Sequence, residues 1–411
     1  MTSLPKVTEL ARVRLEDYRP IVGDDLIDDI RRLARPLAGM TIQHINSAAV
    51  GGGVAEILKR LVPLMEDVGL KAEWDVMEGT PAFFHVTKTF HNAFHGQPVT
   101  VTEAMLSTYV EVSRRNYPLV RKADFVIIHD QQPLGLTGIK EDRVGKWVWY
   151  CHVDPIYVDR KVWDFLRPFA EKCHASIYHI PQYAKGIKNK EYILSPAIDP
   201  LSDKNREVTE KEKEEVVRRL GLDLEKPIVL QVSRFDRLKD PVGVIKAFRL
   251  VRRYLPCQLV LAGGGASDDP EGQQVLAEVR EAADDDPDIL IYDLPPTSDL
   301  EINVLQRLAT VVVQKSIREG FGLTVTEAMW KGKPLVATAV GGIRYQVEHE
   351  KTGLLSHTIE GTAWNILRFL QDRELAQAVG QRAREQVRRR FLLPVYLRDW
   401  LILLNLLKDK H

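Results

Sequence analysis

The chain alternates short β-rich apolar runs with amphipathic helical stretches, breaks off, and then begins the same alternation again. This pattern is the strongest constraint on the fold, because strands separated by helices build parallel sheets covered by those helices. In the first half, strands are expected at TIQHINSAA from Thr41, KAEWDVM, DFVIIHD, KWVWYCHV, ASIYHI and KEYILSPAI. The run DPLSDKNREVTEKEKEEVVRRLGL, polar and charged, interrupts the rhythm. The alternation restarts with PIVLQVSR, CQLVLAGGG, DILIYDLP, TVVVQKS and PLVATAV. The expectation is an α/β protein of two Rossmann-like domains, residues 1–199 and 200–393. From about Thr358 the chain reads as helical throughout, with Pro394 kinking or breaking it. The segment after Pro394 carries too many apolar residues for a free tail, so residues 394–411 are expected to pack back on the first domain. No repeat with a period of about 20–50 residues is visible.

Length agrees with this division, since 411 residues exceed one compact α/β domain. Lys plus Arg and Asp plus Glu each number 57, which gives no global field for nucleic acid or an anionic membrane. Cys151, Cys173 and Cys257 are far apart and form no CxxC pair, which argues against a disulfide framework or a zinc site. The start MTSLPKVTEL has no signal-peptide pattern. The most apolar stretch, FLLPVYLRDWLILLNLL, is interrupted by Pro394, Arg398 and Asp399. A soluble cytoplasmic protein is expected.

The chemistry-bearing residues cluster where strands end. Glu319-Gly320-Phe321-Gly322-Leu323-Thr324-Val325-Thr326-Glu327 follows the strand TVVVQKS and opens a helix. A Gly-containing turn at a helix N-terminus exposes backbone N–H groups and the positive dipole end, which suits a phosphate. Gly320 and Gly322 let a ligand approach the main chain, and Glu319 and Glu327 can accept from two sets of hydroxyls. Ser233, Arg234 and Lys239 follow the strand PIVLQ, so that Arg234 and Lys239 can converge on a diphosphate. Gly51, Gly52 and Gly53 follow the first clear strand but do not meet the GxGxxG dinucleotide fingerprint. Tyr150-Cys151-His152-Val153-Asp154 ends another strand; Gly263, Gly264 and Gly265 end a further one, and Gly341-Gly342 another. Ligands in open α/β sheets bind outside the carboxyl ends of strands. Taken singly, each of these is also compatible with a solvated loop or a plain structural turn.

Together the motifs resemble the retaining glycosyltransferases of family four, which have the GT-B fold: two Rossmann-like domains with parallel sheets facing a central cleft. Glu319 and Glu327 meet the family's E-x7-E element, and Ser233, Arg234 and Lys239 its S-R-x4-K element. Gly51 to Gly53 and His152 meet the N-terminal glycine turn and histidine. The likeness runs from about residue 40 to the C-terminus. Where the family often has Asp-Gly ahead of the Thr-Gly of a hairpin, this chain has His349-Glu350 ahead of Thr352-Gly353. The segments QKSIREGFGLTVTEAMWKGKP and VWYCHVDP are most similar to archaeal members that join glucose from a nucleoside diphosphate glucose to free glucose, reversibly giving α,α-trehalose.

The resemblance implies roles. Arg234 and Lys239, with the backbone at Leu323 and Thr324, would hold the donor diphosphate. Glu319 and the Gly320-Phe321-Gly322 backbone would hold the sugar hydroxyls, Glu327 the ribose, and the base would lie near Leu294. Gly51 to Gly53 would line the donor site. His152 would meet the sugar near C6 or the reaction centre, and with Asp154 would contact the acceptor carried by the N-terminal domain. No metal site and no tightly bound cofactor are implied, with stimulation by Mg2+ left open, and a homodimer is expected. Other readings are a family-four transferase with another acceptor, sucrose-phosphate-synthase-like or glycogen-synthase-like, and a sugar-nucleotide enzyme such as an epimerase. A two-carboxylate glycosidase, a Rossmann oxidoreductase and a non-enzymatic sensor are further alternatives.

Overall fold

The structure is a computed structural model that describes residues 3–50, 52–139, 144–264 and 270–408. Its contacts divide the chain into two units, Met1–Ala197 with Leu393–His411, and Ile198–Leu392. The chain thus passes between units at 197/198 and 392/393. Ile198 and Leu392 form a parallel bridge, and the Ile198 N–H donates to the Phe391 carbonyl at 2.9 Å.

In the first unit, six strands form one parallel sheet: β1 Thr41–Asn46, β2 Lys71–Val76, β3 Phe125–His129, β4 Lys146–Cys151, β5 Ala175–Tyr178 and β6 Lys190–Ile193. Their order is β2-β1-β3-β4-β5-β6. Every residue of β3 and all but the first of β4 are buried, as a sheet covered on both faces requires. The second unit repeats the plan with β7 Ile228–Val232, β8 Gln258–Gly263, β9 Ile289–Asp293, β10 Val311–Gln314, β11 Leu335–Thr338 and β12 Leu354–Ser356, ordered β12-β11-β10-β7-β8-β9. Each sheet therefore reverses its winding beside its first strand, between β1 and β3 in one and between β7 and β10 in the other.

The charged run that breaks the rhythm ends in a helix, Glu210–Leu220. Thr209 accepts the Glu212 N–H at 3.2 Å while the Glu212 carboxylate accepts the Thr209 N–H at 2.8 Å. Gly221, with φ +63°, closes the helix in the left-handed conformation.

The C-terminal region is helical, with a break beside Pro394 as expected and a further break at Asp372. It forms three helices, Ile359–Gln371, Arg373–Arg390 and Leu393–Lys408. The first break is at Asp372, whose carboxylate caps the next helix by accepting the Leu375 N–H at 2.8 Å. The second, at Phe391-Leu392, precedes Pro394, which sits at the second helical position, where a missing N–H removes no intrahelical bond. The last helix belongs to the first unit. Asn405 donates to the Leu33 carbonyl at 2.9 Å, and Trp400 packs edge-on against His44 and Tyr150.

The strand that follows Thr352-Gly353, β12, runs parallel to β11. At the unusual turn, Glu350 takes the left-handed conformation, φ +65°, that glycine adopts without strain. Its N–H donates to the Gly353 carbonyl at 2.8 Å and its carboxylate meets Arg368 at 3.1 Å. His349 Nδ1 accepts the Leu355 N–H at 2.9 Å, which ties the turn to the edge strand.

Trp400 has no exposed surface, whereas Ile402 on the same helix is 40% exposed. Trp400→Ala should cost about 3–5 kcal/mol of stability by opening a cavity. Ile402→Ala should cost well under that. Urea unfolding of both variants checks this pair.

Candidate active site

In the second unit the loops after β7 and β10 meet at the point where the sheet reverses. The Ile317 N–H donates to the Leu238 carbonyl at 2.7 Å, which joins the two loops directly. Lys239 Nζ meets Glu319 Oε2 at 2.6 Å, with only 17% and 11% of the side chains exposed. Ser316 Oγ also donates to Glu319, at 3.2 Å. Lys315 pairs with Asp240, which holds φ +48° and caps the helix Pro241–Arg252 through the Gly243 N–H at 3.0 Å. The structure thus brings Lys239 and Glu319 together. Arg234 lies on the same loop with 60% of its side chain exposed and Asp236 at 3.5 Å.

Two buried glutamines underlie these loops. Gln231, near the end of β7, donates to Ser233 Oγ at 3.1 Å and to the Lys239 carbonyl at 3.0 Å. Gln314, at the end of β10, donates to Ser316 Oγ at 3.0 Å, and Thr324 Oγ1 meets it at 3.4 Å. Each strand therefore fixes its own loop by an amide reaching forward along the chain.

Gly322 caps the helix Leu323–Trp330 with φ +89°, and a Cβ there would stand 3.1 Å from Glu319 Cγ. The helix N-terminus begins directly behind Glu319, so the N–H groups of Leu323 and Thr324 lie in the first turn, where intrahelical acceptors are lacking. Phe321 is buried against Phe391, so of this residue the backbone is what a ligand could meet. Gly320 holds the Gly342 N–H at 3.2 Å, and a Cβ on Gly342 would stand 2.6 Å from Phe321 Cα. Gly263 and Gly264 serve close packing of the chain on itself: a Cβ on either would collide with the Ser233 or Leu294 carbonyl. Gly265 lies outside the described residues. Leu294, half-buried, is tied to the end of β8 by its N–H on the Gly263 carbonyl at 2.8 Å.

Glu327 is only 2% exposed. It accepts from Gln306 at 3.2 Å and faces Lys204 at 4.0 Å. Lys331 donates to Gln306 at 2.7 Å and to Asn205 at 3.0 Å. Burial pushes the Lys331 ammonium down, and the nearby Glu327 opposes that shift. Glu327 is thus the anchor of a buried polar network.

In the first unit, Gly52 and Gly53 open the helix Gly52–Asp67 and are exposed; Gly52 has φ +78° and open space where a Cβ would be. Gly51 lies outside the described residues. Asp154 is buried and accepts the Ile156 N–H at 2.9 Å. His152 follows β4 directly. Its Nε2 faces His129 Nδ1 at 2.9 Å and its Nδ1 faces His179 Nε2 at 3.0 Å, while His129 Nε2 faces His44 Nδ1 at 3.0 Å. Both ring nitrogens of His152 are therefore engaged within the protein. Its backbone N–H donates to Asp130 at 2.7 Å, and Asp130 takes the left-handed conformation, φ +65°.

Comparison with known proteins agrees with both units. Residues 44–185 match the family model described as trehalose synthase, N-terminal domain, and residues 212–386 the model described as glycosyl transferases group 1. The trehalose synthase of Pyrococcus horikoshii is 41% identical over 399 residues, covering 95% of this chain and 96% of that protein. The trehalose synthase of Rubrobacter xylanophilus is 42% identical, covering 94% and 95%. The chain belongs to the trehalose synthase family. Solved structures agree on the GT-B fold: an α,α-trehalose-phosphate synthase (UDP-forming) from Burkholderia xenovorans in complex with glucose-6-phosphate matches with TM-score 0.72 at 14% identity, covering 89% of this chain and all of that one. The sucrose-phosphate synthase of Thermosynechococcus elongatus gives 0.69 at 19%, covering 90% and 99%.

This trehalose synthase family member is accordingly a hexosyltransferase. Among its described residues no helix is long and apolar enough to cross a membrane. Sequence reasoning singled out His152 but missed His44, His129, His179 and Asp130 beside it, and Gln231 and Gln314 in the second unit. A signal was present: a histidine stands near the carboxyl end of TIQHIN, FVIIH, WYCH and SIYH alike.

Burial sets the charge of this histidine group. It holds His44 and His179 down to about 3 and His129 and His152 well below the usual imidazole value. Asp130 is pushed the other way, up to about 7, also by burial. Below about pH 6.5 the unfolded chain protonates each histidine while the folded chain does not, so stability falls as pH drops toward about 3. Asp130 has the opposite sign, since the folded form keeps a proton that the unfolded form loses between about pH 4 and 7. Four histidines against one carboxyl make acidification from pH 7 to 5 destabilising for this group. His44→Leu should flatten that loss by up to about 1.4 kcal/mol per pH unit. Urea unfolding of both proteins at several pH values measures it; equal slopes would contradict the assignment.

Proposed function

We propose that this enzyme moves glucose from a nucleoside diphosphate glucose, whether UDP-, ADP- or GDP-glucose, to free glucose with retention, making α,α-trehalose reversibly. The observation that carries the reading is the meeting of the two loops at the β7/β10 reversal. There a lysine and a carboxylate pair at 2.6 Å, in front of a helix N-terminus and beside an exposed arginine. The names borne by the relatives at 41–42% identity support the sugar assignment.

In this reading Arg234, Lys239 and the N–H groups of Leu323 and Thr324 take the diphosphate. Negative charge grows on the departing phosphate, and fixed cations and aligned N–H groups stabilise it without reorganising. Lys239 has three donors, so it can hold a phosphate oxygen while keeping its bond to Glu319. Glu319 and the backbone of Gly320 to Gly322 take sugar hydroxyls, and Glu327 takes the ribose at the edge of its buried network. The base lies near Leu294. The acceptor hydroxyl attacks on the face that the phosphate leaves, and that phosphate takes its proton. His152 and Asp154 serve the acceptor or the sugar, and Gly52 leaves room for the donor. No cofactor is held tightly, and Mg2+ would enter with the diphosphate. A cytoplasmic homodimer belongs to the same proposal.

Incubation with each nucleotide glucose and free glucose should release nucleoside diphosphate and yield a disaccharide with a single anomeric proton signal of small coupling. A β-linked product would overturn retention, and an α-linked product on another acceptor would overturn the trehalose assignment. Lys239→Ala and Arg234→Ala should each lower kcat/KM roughly a hundredfold, equivalent to about 3 kcal/mol. Unchanged kinetics in both would remove the diphosphate role.

A further inference from the structure

The four histidines lie along neighbouring strands of the first sheet, and register explains their alignment. His44 on β1 pairs with Ile127 of β3, two residues before His129. His129 in turn pairs with Tyr150 of β4, two residues before His152. Cys151 pairs with Tyr178 of β5, so His152 and His179 leave their strands at the same level. A shift of two residues preserves the face of a strand, so the imidazoles collect on one side and step toward the carboxyl edge.

The contacts join them in series: His44 Nδ1 to His129 Nε2, His129 Nδ1 to His152 Nε2, and His152 Nδ1 to His179 Nε2, at 3.0, 2.9 and 3.0 Å. In a neutral imidazole one ring nitrogen donates and the other accepts. If His44 donates from Nδ1, then His129 Nε2 must accept, so His129 carries its proton on Nδ1 and passes the same condition to His152 and then to His179. If His179 donates from Nε2, the condition runs back to His44. Only two registers satisfy all three bonds with neutral rings: every proton on Nδ1, or every proton on Nε2. A doubly protonated ring would donate at both of its links and leave the rings on its two sides in opposite tautomers, so a single shared register requires all four rings to be neutral.

We propose that His44, His129 and His179 are positioning residues that fix, as one hydrogen-bonded chain, which ring nitrogen of His152 carries its proton. This rests on the reading of His152 as a group that meets the reacting sugars. A hydroxyl that displaces one neighbour of His152 then finds a donor or an acceptor already chosen, depending on the register. The environment favours the neutral state. Tyr150 packs over His152 with ring centroids 3.9 Å apart, and Trp400 stands edge-on to His44. His44 Nε2, at the far end, is buried with no hydrogen-bond partner. The carboxyl at hand, Asp130, accepts the His152 backbone N–H and is itself held toward the neutral acid by burial.

The test uses full-length protein labelled with 15N-histidine, read by long-range proton–nitrogen correlation, together with steady-state kinetics. The wild type should show one shared tautomer for the four buried rings. His129→Leu cuts the chain, so His152 should show both tautomers, and kcat should fall roughly tenfold while the nucleotide-sugar KM stays within about twofold. His129→Asn restores an amide partner for His152 Nε2 and should recover part of kcat; it serves also if the leucine variant fails to fold. Mixed tautomers in the wild type, or a His152 signal and kcat unmoved by His129→Leu and His129→Asn, would overturn the chain. His152→Ala separates the two ideas: intact transfer in that variant overturns the role of His152 itself, whereas lost transfer beside unchanged His129 variants overturns only the chain.

Discussion

A parallel sheet that reverses its winding must part its loops between two neighbouring strands, because their following helices leave toward opposite faces. This constraint governs where chemistry can sit in both units. In the second, the reversal lies between β7 and β10, and the loops that leave those strands carry Arg234, Lys239, Glu319 and the Gly322 turn. In the first, it lies between β1 and β3, and the loops there carry Gly52 and Asp130. The sheets supply rigidity, and the carboxyl ends of their central strands carry the loops on which these residues sit.

The two units solve the electrostatics differently. The second concentrates charge and balances it locally. Lys239 faces Glu319, Lys315 faces Asp240, and the glutamines of β7 and β10 hold the loops so that each pair stays in register. A charged ligand arriving there meets groups whose partners are already fixed, which limits the reorganisation that would otherwise weaken its binding. The first unit concentrates neutral polarity. Burial keeps its histidines uncharged and its aspartate close to neutrality, so hydrogen-bond direction, and not charge, carries the information. A sugar, rich in hydroxyls and poor in charge, is the kind of ligand such a surface suits.

Much of this was legible in the chain. Strand positions followed from apolar runs between helical stretches, and the Ser233-Arg234 to Lys239 and Glu319 to Glu327 spacings marked the second unit's loops because each follows a strand directly. Other features were hidden for physical reasons. The break at Asp372 depends on a single capping carboxylate inside a helix-rich stretch. The parallel direction of β12 is set by tertiary pairing, which a three-residue strand does not advertise. Glu350 occupies a left-handed position that sequence normally signals with glycine. Gly263 and Gly264 looked like ligand turns, yet their lack of a side chain is demanded by neighbouring carbonyls. The histidine chain escaped notice because its members lie on, or one residue past, four separate strands, and the register aligns them.

The central claim is that the β7/β10 reversal is the donor site. A crystal structure of the enzyme soaked with a nucleoside diphosphate glucose whose diphosphate carries sulfur, located by its anomalous signal, tests this most directly. The account predicts the diphosphate within hydrogen-bond distance of Lys239 and of the N–H of Leu323 or Thr324, with the sugar against Glu319. A diphosphate bound in the second unit away from these groups, with Lys239 and Glu319 paired and untouched, would contradict it.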